Sequence, residues 1–202
     1  MAVIRAFDRS YACVRDIGNA PNGGEYSFPA MIDAERHAGT GTAEGVRYKR
    51  SRFTTRLPVG RRYTAAHMWL ANDGGDEWRV GFTKFAVRML GEVVESGFEV
   101  KPGGVLAIGQ VIGWLEGFKA STDLYCALAG EFIGANPLLA TQADRIHADP
   151  YGDGWLYRAR GTPDPASFDV QGYVEVLDRA IDKIQGESHA ESYTESPSES
   201  QP

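Results

Sequence analysis

Lys119 lies within VIGWLEGFKASTDLYC (111–126), between two apolar, strand-like runs at the point where a hairpin should turn. An amine at such a tip projects into water from a rigid scaffold, with the small residues Gly117 and Ala120 leaving room for a modifying enzyme to reach it. Acylation of that amine would remove the ammonium charge and leave a tether. The plain alternative is a solvated turn lysine, which is what most surface lysines are, and the local residues alone do not exclude it. No Ser, Cys or His falls into a nucleophile-and-base arrangement. His37, His67, His147 and His189 show no metal-ligand spacing, and Cys13 and Cys126 lie far apart without a CxxC. Catalytic sites, metal centres and disulfide scaffolds are therefore not expected.

The elements that must position this lysine are mostly short strands. Val105, Leu106, Ile108, Val111, Ile112, Trp114, Leu115 and Phe118 form a β-branched and aromatic stretch broken by glycines. After Lys119, Leu124, Cys126 and Leu128 alternate with Asp123, Tyr125 and Ala127, the period of a half-buried strand. Asp73, Gly74 and Gly75 separate MWLA from EWRVGF as a hairpin turn would. One short helix is predicted where Thr83 caps a turn, Phe85 pairs with Met89 and Ala86 with Leu90, and Gly91 stops it. A second is predicted from about 168 to 185, with Tyr173, Val174, Leu177, Ile181 and Ile184 as its apolar stripe packing over the β core. Periodicity alone predicts a small β-rich domain.

Four blocks in sequence order narrow this further. RYTAAHMWL (62–70) stands where R-Y-x-x-S-H-E-W opens the H proteins of the glycine cleavage system. VGFTKFAVRMLGEVV (80–94) resembles their V-G-I-T-x-x-A-x-x-x-L-G-D-V-V, EGFKASTDLY (116–125) their E-S-V-K-A-x-S-D-L-Y, and DPYGDGWL (149–156) their D-P-Y-G-x-G-W-L. The resemblance covers roughly 62–184. It implies a flattened antiparallel β-barrel or sandwich, a barrel-sandwich hybrid, with the hairpin at one end and a C-terminal helix. It further implies that Lys119 carries covalent lipoate and that Glu116, Gly117, Phe118, Ala120 and Asp123 surround the attachment point. Partners implied are a pyridoxal-phosphate glycine decarboxylase, a folate-dependent aminomethyltransferase, dihydrolipoyl dehydrogenase and the lipoate-attaching enzymes. The protein itself would be a non-catalytic carrier. Its five-membered ring disulfide cannot reach the relaxed dihedral near about 90° and so opens readily. A tether also raises the effective concentration of the group it carries.

Two departures bear on what the arm would carry. The Ser and Glu of S-H-E-W, which in the family help hold the loaded arm in a cleft, are here Ala66 and Met68, while His67 and Trp69 are kept. A protonated amine in a cleft needs acceptors, and neither a methyl nor a thioether supplies a good one. The tip reads EGFK in place of ESVK. An H-like carrier used for lipoyl relay or sulfur-intermediate transfer, and an unmodified binding module of the same fold, are the alternatives.

The whole chain sets bounds consistent with this. Its 202 residues, 43% of them hydrophobic, suffice for one core with material left for the ends. A net charge of -6 argues against nucleic-acid binding, and no apolar run is long enough to span a membrane. The expected location is cytoplasmic, or mitochondrial in a eukaryote. Residues 1–60 are expected to be an N-terminal extension, flexible or partly ordered, with 61–185 as the carrier domain and 186–202 as a Ser/Glu-rich disordered tail. Within the extension GTGTAEG (39–45) lacks phosphate-loop spacing and reads as a linker. The basic run 47–62 reads as a solvated segment, or else as a docking patch for an acidic partner. Tyr151 and Trp155 in PYGDGW read as core or cover residues.

Overall fold

The computed structural model describes residues 44–194. Among these residues, eleven strands make three antiparallel sheets. The chain opens with a hairpin of β1 (Gly45–Arg50) and β2 (Phe53–Pro58). It then forms β3 (Arg62–Tyr63), β4 (Met68–Gly74), β5 (Glu77–Phe82), helix α1 (Lys84–Leu90) and β6 (Val93–Phe98). β7 (Val105–Leu106), β8 (Val111–Gly117), β9 (Ser121–Tyr125) and β10 (Leu128–Ala135) follow. After a 3₁₀ turn at Pro137–Ala140 and the short α2 (Arg145–Ala148), β11 (Tyr157–Pro163) leads to the long α3 (Val170–Thr194).

A six-stranded sheet runs β3-β4-β5-β11-β10-β7, and a three-stranded sheet runs β6-β8-β9. Their facing sides enclose the main core, where Leu70, Val80, Phe132 and Tyr157 of the larger sheet join Ile112, Leu115 and Leu124 of the smaller. The larger sheet is covered on its other face too. Strand alternation sends Met68 and Leu70 into the main core and Trp69 into a second cluster beneath α3, where Tyr63, Phe85, Tyr173 and Leu177 meet it. This is a mainly β barrel-sandwich fold, as the sequence led us to expect.

Local signals shape the pieces near the site. The Thr83 hydroxyl accepts from the Ala86 N–H and caps α1, and the Gly91 N–H donates to Val87 O to close it. Most of the basic run 47–62 is not a solvated segment: residues 45–58 form a hairpin whose inner side buries Tyr48, Phe53, Thr55 and Leu57 while its cations alternate outward. Charge had concealed that alternation in the sequence. Tyr48 Oη donates to Asp178 on α3 at 2.8 Å, and Arg50 pairs with Asp178 and Asp182. Helix α3 continues past Gln185 to Thr194, through Glu- and Ala-containing sequence with no proline before Pro197. The GTGTAEG segment up to residue 43, Cys13 and His37 lie outside the described residues, as do residues 195–202.

Candidate functional site: a lysine at a braced hairpin tip

Strands β8 and β9 pair antiparallel with Glu116 opposite Ser121, and the turn between them is closed by the Gly117 N–H donating to Ala120 O at 2.9 Å. Phe118 and Lys119 are the two residues at the tip, and both are exposed, Phe118 at 78%. The tip does not stand free. The Lys119 N–H donates to Leu90 O at 3.1 Å and the Phe118 N–H to Glu92 O at 2.9 Å, so the end of α1 and the start of β6 grip the backbone of the turn. Leu90 is a helix-terminal carbonyl of the kind that needs a donor from outside its own helix.

Two glycines permit this closeness. A Cβ on Gly117 would lie 2.3 Å from Leu90 O and 2.8 Å from Leu90 Cγ, and a Cβ on Gly91 would lie 3.0 Å from Lys119 Cγ. Gly91 also has φ of 80°, a left-handed conformation that glycine adopts without penalty. The stem of Lys119 thus passes over Gly91, and the amine leaves from a fixed starting point. Sequence reasoning took Gly91 only as a helix stop; its second role depends on a partner 28 positions away in the chain and has no local signal.

The residues expected to surround an attachment point lie as follows. Glu116 and Asp123 are exposed on the outer face of the three-stranded sheet, with Tyr125 Oη donating to Asp123 at 3.3 Å, and Ala120 packs partly against the main core. Glu95 lies opposite Glu116 across β6 and β8. Among the described residues no carboxylate lies within ion-pair distance of the Lys119 amine. Acylating it would break no ion pair among the described residues.

The four arm-cleft candidates of the opening block do not share one surface. Ala66 is half-buried in the turn before β4. His67, at φ 57°, is buried at 6%, its Nδ1 2.9 Å from the Tyr173 hydroxyl and its ring centroid 4.6 Å from that of Phe85. Desolvation pulls its pKa down to about 3, so the ring is neutral at pH 7. The Tyr173 hydroxyl also meets the Thr83 hydroxyl at 2.8 Å, which ties α3, the α1 cap and the turn before β4 into one buried knot. Met68 is 1% exposed within the main core. Trp69 is equally buried, its Nε1–H shared between Phe82 O at 3.0 Å and Pro150 O at 2.8 Å, with the Arg61 guanidinium 4.1 Å from its ring. Their positions make His67 and Trp69 parts of the frame that holds α1, and α1 holds the tip.

Tyr151 and Trp155 pack against the second cluster, in keeping with cover residues. Cys126 is buried, and burial pushes its thiol pKa up, so it is not poised for reaction. Among the described residues no group of three or more His, Cys, Asp or Glu side chains is placed to hold a metal ion. No helix among them is long and apolar enough to cross a membrane.

A two-sheet antiparallel body with a lysine-tipped hairpin at its edge is a barrel-sandwich hybrid domain. The sequence profile of the glycine cleavage H-protein family matches residues 61–168. Glycine cleavage system H proteins from Pectobacterium carotovorum and Magnetococcus marinus are 31% and 38% identical, over 60% and 56% of this chain and 95% and 79% of theirs. The crystal structure of a glycine cleavage system H protein from Mycobacterium marinum superposes with a TM-score of 0.53 at 30% identity, covering 59% of this chain and 97% of that one. The chain belongs to the glycine cleavage H-protein family.

Proposed function

We propose that the protein is a non-catalytic carrier that bears lipoate as an amide on Lys119 and moves an aminomethyl group between the enzymes of glycine cleavage. The observation that carries this reading is the exposed lysine at a tip clamped to α1, in a chain whose family membership spans that tip. When bound, lipoate would supply a strained ring disulfide, one sulfur of which can take up the carried group together with the electron pair released by the decarboxylation while the other leaves as a thiol. The chain's own residues do the rest. Gly117 and Gly91 let the turn seat against Leu90, the two backbone hydrogen bonds fix where the lysine leaves, and Glu116 and Asp123 present carboxylates on one side of it. The enzymes that attach lipoate would read this rigid, exposed turn, and the decarboxylase, the transferase and dihydrolipoyl dehydrogenase would take the arm in turn.

Intact mass of protein purified from its own host tests the first step. One lipoyl addition is expected, lost in Lys119→Ala; an unmodified mass throughout would leave only a binding module of this fold.

One observation favours a second cargo. Met68 occupies the position of the family's cleft Glu and lies 1% exposed in the core, so it presents no acceptor to an amine. An H-like carrier that relays lipoyl groups or sulfur intermediates fits that position better. Incubating the lipoylated protein with the decarboxylase and glycine separates the two: an aminomethyl adduct supports glycine cleavage, and its absence supports the second cargo.

A further inference from the structure

The surface on the α1 side of Lys119 has the opposite sign to the sheet that carries it. Glu92, Glu95, Glu116 and Asp123 are exposed on or beside β6, β8 and β9. On the other side, both exposed positions of α1 are cations, Lys84 and Arg88, one helical turn apart. Arg88 Nη1 donates to Arg52 O at 3.1 Å, which joins the helix to the turn of the β1–β2 hairpin. That hairpin has no acidic residue between 45 and 58, and Arg47, Lys49 and Arg56 are exposed beside Arg52. Arg47 and Arg56 are direct cross-strand partners.

This arrangement works against the stability of the fold. Like charges directly opposite in a hairpin, or one turn apart on a helix, repel. Several arginines outside the hairpin, Arg79, Arg158 and Arg160 among them, pair with Asp or Glu, and Arg50 within it reaches Asp178 and Asp182 on α3. Among the described residues none of the six cations Arg47, Lys49, Arg52, Arg56, Lys84 and Arg88 has such a partner. The hairpin is nevertheless held firmly, by Phe53 against Phe85 at 5.5 Å, by Tyr48 on Asp178 and by Arg50 on α3. It also lies outside the stretch matched by the family profile.

We propose that the β1–β2 hairpin and the exposed stripe of α1 form a basic docking face for an acidic surface on an enzyme that receives the arm. The occupant follows from charge and position together. The basic face and the lysine tip are both braced on α1, through Arg88 to Arg52 O and through Leu90 O to the Lys119 N–H, so a protein that closes over Lys119 along the helix comes upon Arg88 and the hairpin turn bonded to it. Because acidic and basic faces flank the lysine, only a partner carrying both signs in the opposite order is attracted on both sides. That fixes its orientation as well as its encounter rate. A uniform polyanion, whether nucleic acid or lipid surface, would be repelled by the sheet carrying Glu95 and Glu116.

The proposal rests on the carrier reading for the identity of the partner but is tested without turnover. The full chain, lipoylated or not, is titrated against the host's glycine decarboxylase, aminomethyltransferase and dihydrolipoyl dehydrogenase in turn, at about 50 mM and about 500 mM salt, which bracket a screening length of about 10 Å. The variant is Arg47→Glu with Lys84→Glu. Neither side chain anchors the fold, and the carboxylate introduced on β1 would face Arg56, so the melting temperature should hold or rise. Binding of at least one partner should weaken about tenfold at low salt and converge with the parent chain at high salt. Unchanged binding to all three would overturn the proposal, as would a variant whose loss is of binding to anionic vesicles or RNA instead. Failure of the carrier reading shows separately, as an unmodified mass at Lys119.

Discussion

Gly117→Ser would restore the residue that the family pattern carries at this position, and the packing says it should harm this protein. The new Cβ would sit 2.3 Å from Leu90 O and 2.8 Å from Leu90 Cγ. Leu90 is 1% exposed and cannot retreat into solvent, so the tip must lift by about 1 Å to restore ordinary van der Waals separation. Lifting stretches two hydrogen bonds, from the Lys119 N–H to Leu90 O and from the Phe118 N–H to Glu92 O, each contributing about 0.5–1.5 kcal/mol net. Overpacking adds about 1–3 kcal/mol, and with partial relief by movement of the tip we expect a loss of about 2–4 kcal/mol. For a domain of this size that lowers the melting temperature by about 5–12 °C. Denaturant unfolding measures the loss, and intact mass after a timed exposure to a lipoate-attaching enzyme measures how well the displaced lysine is recognised. A melting temperature within about 1 °C of the parent, with unchanged modification, would show that the tip does not seat on α1 as described.

Other expectations concern the buried knot. The His67 pKa is about 3 folded and near about 6.5 unfolded, so below pH 6.5 the unfolded chain binds a proton that the folded one refuses. Stability is therefore full above that range and falls as pH drops toward 3, by about 2 kcal/mol at pH 5 relative to pH 8. His67→Asn, which tolerates the left-handed backbone and does not titrate, should flatten this dependence in urea unfolding; an equally steep profile would assign it to other groups. Tyr173→Phe removes a partner from both His67 Nδ1 and the Thr83 hydroxyl, buried at 6% and 0% exposure, and should cost about 1–3 kcal/mol with little change in the denaturant slope. A cost below about 0.5 kcal/mol would mean the knot is not held by that hydroxyl.

What could be read from the sequence was what short-range chemistry encodes. The Thr83 cap, the Gly91 stop, the turn after Asp73, the buried Tyr173, Leu177 and Ile181 of α3 and the tip at Lys119 are all signalled within a few residues, whereas Val176 is buried in place of the expected Ile184, which is 37% exposed. The β1–β2 hairpin was not legible as a packed element. Its inward Tyr48, Phe53 and Leu57 are interleaved with five cations, and they count as core only once α3, more than a hundred positions later, covers them. The knot was hidden for the same reason, since His67 and Tyr173 are 106 positions apart. The grip of Leu90 and Glu92 on the tip is a backbone interaction, and side-chain identity carries no record of it beyond the two glycines that make room. The family resemblance supplied Lys119 but could not show what braces it.

Position 68 is where resemblance and packing pull apart, and it decides how the carrier question should be put. Restoring the family's carboxylate by Met68→Glu would aid an amine on the arm only if that side chain could reach a cleft. Here strand alternation points it into the main core with Leu70 and Leu90, opposite Phe82 on β5. A carboxyl placed there stays protonated to avoid the cost of burying its charge, and even neutral it needs a hydrogen-bond partner. We expect Met68→Glu to lose about 3–5 kcal/mol at pH 7 and to regain part of that at pH 4, where the unfolded chain is protonated too. Equal melting temperatures for the two proteins at both pH values would mean that residue 68 is open to solvent, and Met68→Glu would then be a fair test of amine loading. If the loss is seen, failure of Met68→Glu to improve aminomethyl loading says nothing about cargo, because the substitution breaks the scaffold before it can serve the arm. The informative exchange is then Ala66→Ser, at a half-buried position in the same turn, where a hydroxyl can be added without entering the core.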